Sequence, residues 1–135
     1  MSHPISMNWV NQTADIFSFT NVNVKDGTKP SATSNPMTAN GSSSVSADQT
    51  HNLGAGPVGS YTWLNVVNGN ASVAASYKHP SGTGQTSVTV TCSSQYQVSN
   101  NGANWSQAET FTDKSLQHHD ATITLCIRSS SSSSG

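Results

Sequence analysis

Charged residues are scarce in this chain of 135 residues. Lysine, arginine, aspartate and glutamate together make up 8% of the sequence, against roughly 25% in ordinary globular domains. The formal net charge is −1 with histidine neutral. The chain therefore lacks the electrostatic attraction that nucleic acids and anionic membranes require. A net charge near zero also favours self-association, which leaves open a storage or self-assembling role.

Long apolar runs are missing as well. No window approaches the ~20 apolar residues that a membrane-spanning helix needs. The first residues have neither a basic start nor an apolar stretch of useful length, so we recognise no secretory signal peptide. We therefore expect a protein that is cytoplasmic or is released without a cleaved signal.

Only two cysteines are present. Cys92 is in phase with the apolar residues Val88 and Val90, whereas Cys126 is out of phase with Leu125. If each strand turns its apolar residues to the core, the two sulfurs face different ways. A bulge in either strand would reverse its phase, so the sequence leaves open whether the two are paired.

Helical periodicity is also absent. No stretch of ten residues repeats every 3.6 positions, and the segment 109–120 is the only place where a short helix or 3-10 turn is plausible. Short runs of alternating apolar and hydroxyl-bearing residues are present instead, separated by Gly, Pro and Asn turn signals. A slip of phase in the run 16–24 predicts a bulge near Thr20.

These runs predict an all-β fold, an antiparallel β-sandwich of about seven to nine short strands. We expect one domain over residues 1–128 and a disordered, Ser-rich tail over 129–135. The strongest local signal is a hairpin in which the runs 60–67 and 70–77 flank Asn-Gly at 68–69. This dipeptide is typical of two-residue turns because both of its residues tolerate positive φ. Neither face of the first run is plainly polar, so we expect it to be a central strand covered on both sides.

Motifs that carry chemistry are weak. The segment 54–59 reads GxGxxG, but a dinucleotide site needs a strand before it and a helix after it, and here a strand follows. His118 and His119 adjoin Asp120, yet neighbours on an extended segment point apart and no ligand spacing follows. Cys92 has no basic neighbour to lower its pKa, and no G-x-S-x-G motif occurs. We therefore predict that the protein is not an enzyme and has no metal or cofactor.

Two aromatic-bearing segments remain as candidate contact surfaces. Trp105 lies in a polar loop, where it is either an exposed contact residue or part of a satellite core. Tyr77, Lys78 and His79 leave the hairpin at one end of a sheet. These four are the predicted membrane- or ligand-binding residues, and we expect Trp105→Ala to weaken binding while the fold persists.

Several turn motifs between residues 8 and 90 occur in a recognisable order. They are Asn11-Gln12-Thr13-Ala14, Asp26-Gly27, Asn35-Pro36, Gly56-Pro57-Val58-Gly59-Ser60-Tyr61, the Asn-Gly hairpin, and Tyr77 followed by His79-Pro80-Ser81-Gly82. Together they resemble the aegerolysin-like family, and especially the small component of binary insecticidal crystal toxins of bacilli.

The resemblance implies a β-sandwich fold and a non-enzymatic, toxin- or defence-like protein that acts on target cell membranes. It implies membrane lipid or surface glycan as ligand, and oligomerisation or a second, larger protein that completes a pore. Fungal members carry a tryptophan-rich, acidic segment linked to lipid recognition. The corresponding segment 77–82 has neither tryptophan nor an acid, which argues against sphingolipid binding of that kind. The alternative function is a carbohydrate-binding, lectin-like module, because Asn, Ser, Thr and an aromatic on loops suit sugar hydroxyls and ring faces.

Overall fold

The computed structural model describes residues 3–50, 56–80, 84–113 and 120–130, and within these it contains ten strands and no helix. The strands are β1 (Ile5–Asn11), β2 (Phe17–Asp26), β3 (Ser31–Ala32), β4 (Ser42–Ala47), β5 (Val58–Asn65), β6 (Ser72–Lys78), β7 (Thr86–Cys92), β8 (Tyr96–Ser99), β9 (Ala108–Asp113) and β10 (Ala121–Ser129). They form two packed sheets, which confirms the predicted all-β sandwich. The strand number exceeds the predicted one because β3 is only two residues long and β9 was unexpected.

The two sheets contain five strands each. The first has the order β3-β4-β1-β10-β8 and the second β2-β5-β6-β7-β9. Pairing is antiparallel throughout the described sheets except between β1 and β10, which run parallel with Ile5 opposite Ala121 and Asn11 opposite Ile127. The first and last strands therefore lie side by side in the interior of one sheet.

Strand β9 corrects one expectation. The segment 109–120 is the one place where the sequence made a short helix or 3-10 turn plausible, but its first residues extend along β7, where Phe111 pairs with Val88 and Glu109 with Val90. Alternation explains the difference, because Phe111 faces the core while Thr110 and Thr112 are exposed. Residues 114–119, which include His118 and His119, lie outside the described residues.

The end of the chain is partly described. Ser129 is the last residue of β10, and the backbone N–H of Ser130 donates a hydrogen bond of 2.8 Å to the carbonyl of Gln95. The start of the predicted Ser-rich tail therefore belongs to the sandwich. Residues 131–135 lie outside the described residues.

Large aromatic side chains fill the space between the sheets. Trp9 of the first sheet and Tyr61 and Trp63 of the second are fully buried. Trp9 Nε1 donates a hydrogen bond of 2.8 Å to Tyr61 Oη, which ties the two sheets together. Tyr61 Oη contacts Met7 Sδ at 3.2 Å. Because burial removes water from the phenol, the pKa of Tyr61 is raised from its ordinary value.

The two cysteines face different ways, as their phases predicted. Cys92 is buried between the sheets, whereas Cys126 is half-buried on the outer side of β10, and both are free thiols. Burial raises the pKa of the Cys92 thiol to about 12 and also raises that of Cys126.

The central hairpin is present, but the predicted two-residue turn is wrong. Pairing ends at Leu64 opposite Ser72, and neither Asn68 nor Gly69 is among the described residues with positive φ. The cause is Asn65, whose Oδ1 accepts hydrogen bonds from the N–H groups of Val67 (2.8 Å) and Asn68 (3.0 Å). The chain therefore turns through a wider loop, residues 66–71.

The predicted bulge near Thr20 is confirmed. The register between β2 and β5 shifts between Thr20 and Asn23 and again between Val24 and Asp26, and Asn21 has a φ of +53°. Bulges bend the strand that carries them. The second half of β2 consequently departs from the regular plane of its sheet, at the place where a cleft opens.

Candidate functional site

The four predicted contact residues differ in exposure. Tyr77 is only 1% exposed and faces the core, and His79 is fully buried. Lys78 is exposed between them, and Trp105 is half-buried. The side chains available for contact at the end of β6 are therefore those around Lys78, and the binding roles of all four residues stay predictions.

The structure does not bring Trp105 together with the other three. Lys78 lies on the outer face of the second sheet, because its neighbours Tyr77 and His79 are buried. The Trp105 ring lies against Arg128, whose Cζ is 4.4 Å from the ring centroid. Arg128 follows the buried Ile127 and so points to the outer face of the first sheet. Trp105 and Lys78 are thus on opposite faces of the sandwich.

His79 has a structural role. Its ring stacks on that of His3 with centroids 3.8 Å apart and planes 6° from parallel. His79 Nδ1 lies 2.6 Å from Thr86 Oγ1, and His3 Nε2 lies 2.8 Å from the carbonyl oxygen of Pro80. The backbone N–H of His3 also donates a hydrogen bond to Asp48 Oδ1. These contacts fasten the segment before β1 to the end of β6.

A cleft of about 430 Å³ opens on the outer face of the second sheet beside Lys78. We call it the lysine cleft. Its polar lining comes from four strands: Asn23 and Lys25 of β2, Ser60 of β5, Ser76 and Lys78 of β6, and Ser87 and Thr89 of β7. The irregular half of β2 supplies one wall, so the bulges in this strand shape the cleft. No single stretch of sequence predicts it, because β2, the hairpin of β5 and β6, and β7 are separate segments of the chain.

Tyr77 and Gly59 also line the lysine cleft, but the Tyr77 side chain faces the core, on the opposite side of the sheet from Lys78. A Cβ on Gly59 would stand 2.5 Å from Tyr77 Oη and 2.6 Å from the carbonyl oxygen of Asn23, so only glycine leaves room for the phenol here. No described residue offers this buried hydroxyl a hydrogen-bond partner. Burial raises the pKa of Tyr77 to about 12, because it penalises the charged form.

The wider hairpin loop creates a second feature, at the opposite end of β5. Val67 is 91% exposed, Val66 is 51% exposed, and Ile16 beside them is 38% exposed. The N–H of Val66 donates a hydrogen bond of 3.0 Å to the carbonyl of Ile16. We call these three side chains the apolar tip. The sequence interpretation missed it because both valines were assigned to the strand, although two aliphatic residues directly before Asn-Gly are a visible signal.

A polar network holds the apolar tip in place. Asn65 Nδ2 donates a hydrogen bond of 2.8 Å to Tyr96 Oη, which in turn donates one of 2.7 Å to Asp15 Oδ2. Burial, with the hydrogen bond to Asp15, raises the pKa of Tyr96. Because Asn65 also binds the loop backbone, the exposed valines are presented on a preorganised loop.

Neither a metal site nor a spanning helix is found in the described part of the chain. No group of three or more His, Cys, Asp or Glu side chains there is placed to hold a metal ion. No described helix is long and apolar enough to cross a membrane. Of the GxGxxG segment, the described residues from Gly56 on continue directly into β5, so a strand follows as the sequence indicated.

Comparison with known proteins gives matches in structure only. No protein-family model matches the chain, and no curated protein matches it significantly. RahU protein in complex with a TRIS molecule superposes with a TM-score of 0.64 at 15% identity, over 95% of this chain and 96% of that chain. IP-1A from Alcaligenes faecalis gives 0.61 at 11% identity, over 93% and 89%. The lipid-binding protein Nakanori gives 0.65 at 10% identity, over 93% and 70%.

At these identities the likeness shows the fold alone. It is consistent with the aegerolysin-like fold that the sequence resemblance implied, and no sequence match supports the narrower link to binary toxins. The chain has a two-sheet β-sandwich fold shared along almost its whole length with RahU, and with a protein described as lipid-binding.

Proposed function

We propose that this protein binds membrane lipid by inserting the apolar tip into the surface of the bilayer. The observation that carries the proposal is the exposure of Val67, Val66 and Ile16 together on a loop that Asn65 holds in place. Burying a valine or isoleucine side chain contributes about 1.5–3 kcal/mol, so three of them can hold a protein at a membrane. The similarity of fold to the lipid-binding protein Nakanori supports this function.

The charges near the apolar tip favour neutral membranes. None of its three side chains is charged, and Asp15, the acid next to Ile16 in the sequence, accepts a hydrogen bond from Tyr96. The chain as a whole has a net charge of −1. We therefore expect binding to zwitterionic vesicles that changes little with salt, because screening acts only on charge–charge attraction.

The proposal includes the toxin-like role that the resemblance implies. The protein would act without catalysis, on the outside of a target cell. Three aliphatic side chains reach only the bilayer surface, so they cannot by themselves form a channel. Permeabilisation would therefore require oligomerisation or a second, larger pore-forming protein.

A carbohydrate-binding module is the second candidate. The hydroxyl and amide groups of the lysine cleft favour a polar ligand. Sugar sites usually add an exposed aromatic ring that stacks on the pyranose face, and the exposed large apolar side chains of the described residues are all aliphatic. Binding to sugars on a glycan array that is lost in a Lys78 variant would favour this candidate over lipid.

The test of the lipid proposal is co-sedimentation with phosphatidylcholine vesicles, with dye release followed in the same samples. The variant with both Val66→Ser and Val67→Ser is expected to lose binding by about tenfold or more, because two insertable side chains are removed. Val24→Ser is the matched control, since Val24 is also an exposed valine (42%) but lies in the lysine cleft.

Equal binding by wild type and the double variant would refute insertion of the apolar tip. Binding without dye release would fit the requirement for a partner. Dye release by the protein alone would show that it suffices to permeabilise the membrane. Absence of binding to vesicles of any lipid composition would favour the carbohydrate candidate.

Trp105 provides a separate prediction. Because one face of its ring is occupied by Arg128, we expect Trp105→Ala to weaken vesicle binding less than the double valine change, with the fold retained. Circular dichroism checks the fold and co-sedimentation the binding. A loss as large as that of the valine variant would make the Trp105 loop the main contact.

A further inference from the structure

We propose that the lysine cleft is a second binding site, which takes the phosphate group of a small phosphorylated molecule. The cleft volume of about 430 Å³ is within the usual range for small-molecule sites, ~300–1,000 Å³. A phosphate group that carries a short polar substituent would fit in a cleft of this size. This site is independent of the membrane function proposed for the apolar tip.

The charge of the cleft is the first argument. Lys25 and Lys78 are two of only five lysine and arginine residues in the chain, and both line the cleft. None of the lining residues is acidic. In a chain of net charge −1, this concentration of cations without carboxylates creates a local preference for an anion. Lysine ammonium groups are common partners of phosphate.

The hydrogen-bonding groups of the cleft are the second argument. Ser60, Ser76 and Ser87 present hydroxyls from three adjacent strands, and each can donate one hydrogen bond. A phosphate offers several acceptor oxygens and no strong donor requirement, which matches a cleft rich in donors.

The position of the cleft favours a soluble ligand. Lys78 pairs with Val58 at the start of β5, whereas the apolar tip follows Asn65 at its end. At ~3.3 Å per residue the two features are roughly 23 Å apart along the strand. A protein whose apolar tip touches a bilayer therefore holds the cleft away from the headgroups of that bilayer. A phosphorylated molecule in solution remains accessible to it.

The test is a titration of the amide NMR signals with inorganic phosphate, with glycerol 3-phosphate, and with glycerol as the uncharged control. We expect both phosphates to shift the signals of Ser76, Ser87 and Thr89, and glycerol to leave them unchanged. Lys25→Gln and Lys78→Gln should each weaken the affinity about tenfold, because each removes a charge-assisted contact. Lys29→Gln is the matched control, since Lys29 is exposed and does not line the cleft.

Tyr77→Phe is a second control. It removes a hydroxyl that is buried on the core side of the sheet, so it should leave phosphate binding unchanged. Absence of shifts at tens of millimolar phosphate would overturn the proposal, as would equal affinity in wild type and Lys78→Gln.

Vesicles containing phosphatidic acid distinguish the source of the phosphate. If the protein binds these vesicles, loses that binding in Lys78→Gln and does not bind glycerol 3-phosphate, the phosphate comes from lipid and the soluble ligand is rejected. The double valine variant should bind inorganic phosphate normally, and Lys78→Gln should bind phosphatidylcholine vesicles normally. Phosphate binding and vesicle binding therefore test the two proposals separately, and either proposal can fail while the other stands.

Discussion

Replacing Asn11 with alanine is expected to lower the free energy of unfolding by about 3–5 kcal/mol, a large part of the stability of a domain this size. Asn11 is fully buried at the end of β1. Its Oδ1 accepts hydrogen bonds from the N–H and Oγ1 of Thr13, and its Nδ2 donates to the carbonyls of Asp15 and Thr38 at 2.8 Å each. Alanine leaves the two buried donors of Thr13 without their acceptor, and it removes the donor to the carbonyls of Asp15 and Thr38, which lie nearer the surface.

The matched control is Asn8→Ala in the same strand. Asn8 is half-buried, and its Oδ1 accepts a single hydrogen bond from Ser44 Oγ at 2.6 Å. We expect a loss of about 1 kcal/mol or less. Urea denaturation followed by tryptophan fluorescence measures both variants. Similar midpoints for the two would mean that the Asn11 network contributes little.

Alkaline pH is expected to unfold the protein between about pH 10 and pH 12. In the folded state the pKa values of Tyr77 and Cys92 are raised to about 12 from ordinary values of 10.0 and 9.0, and those of Tyr61 and Tyr96 are also raised. Burial is the main cause in each case, because it penalises the charged forms. The folded protein therefore keeps protons that the unfolded chain releases above these ordinary values.

The sign of the effect follows from this difference. Below pH 9 both states carry these protons, and the groups do not change stability with pH. As the pH rises from about 9 through about 12, the unfolded chain loses protons first, so the free energy of unfolding falls. Each unit of pKa difference is worth ~1.4 kcal/mol. The four groups together therefore lower the free energy of unfolding by several kcal/mol as the pH rises.

Urea midpoints measured at intervals from pH 8 to pH 11.5 check this prediction. Tyr77→Phe removes one of the four groups, and since its hydroxyl has no partner among the described residues, stability at pH 8 should be nearly unchanged. The decline above pH 10 should be shallower for this variant. A midpoint that stays constant to pH 11.5 would contradict the assignment of these groups to the core.

Local patterns in the sequence predicted most of the fold. The period of two correctly put Val88, Val90 and Cys92 on the buried side of β7, and the slip of phase located the bulge in β2. Those features depend on neighbouring residues. β5 is an interior strand of its sheet as expected, but only one of its two faces is buried. A short helix or 3-10 turn was plausible within 109–120, but its first residues are extended because the tertiary pairing of Phe111 with β7 decided their conformation.

The sequence alone predicted the two candidate sites less well than the fold. The apolar tip exists because the Asn65 side chain binds the backbone of Val67 and Asn68, a contact that overrides the turn preference of Asn-Gly. The lysine cleft joins Lys25 to Lys78 across strands distant in the chain. Lys78 was selected from its position after the hairpin, whereas its partner Lys25 had no local signal.

The parallel pairing of β1 with β10 has a consequence for how the protein is made. Of the ten described strands β1 is synthesised first, yet one of its two neighbours in the sheet, β10, is synthesised last. Contacts between such distant segments require closure of a long loop and slow the formation of the native state. During translation the apolar face of β1, with Ile5, Met7 and Trp9, is therefore exposed to aggregation until β10 emerges. The scarcity of charge leaves little electrostatic repulsion to prevent this, and the assembly of the first sheet is completed only after synthesis of the sandwich has ended.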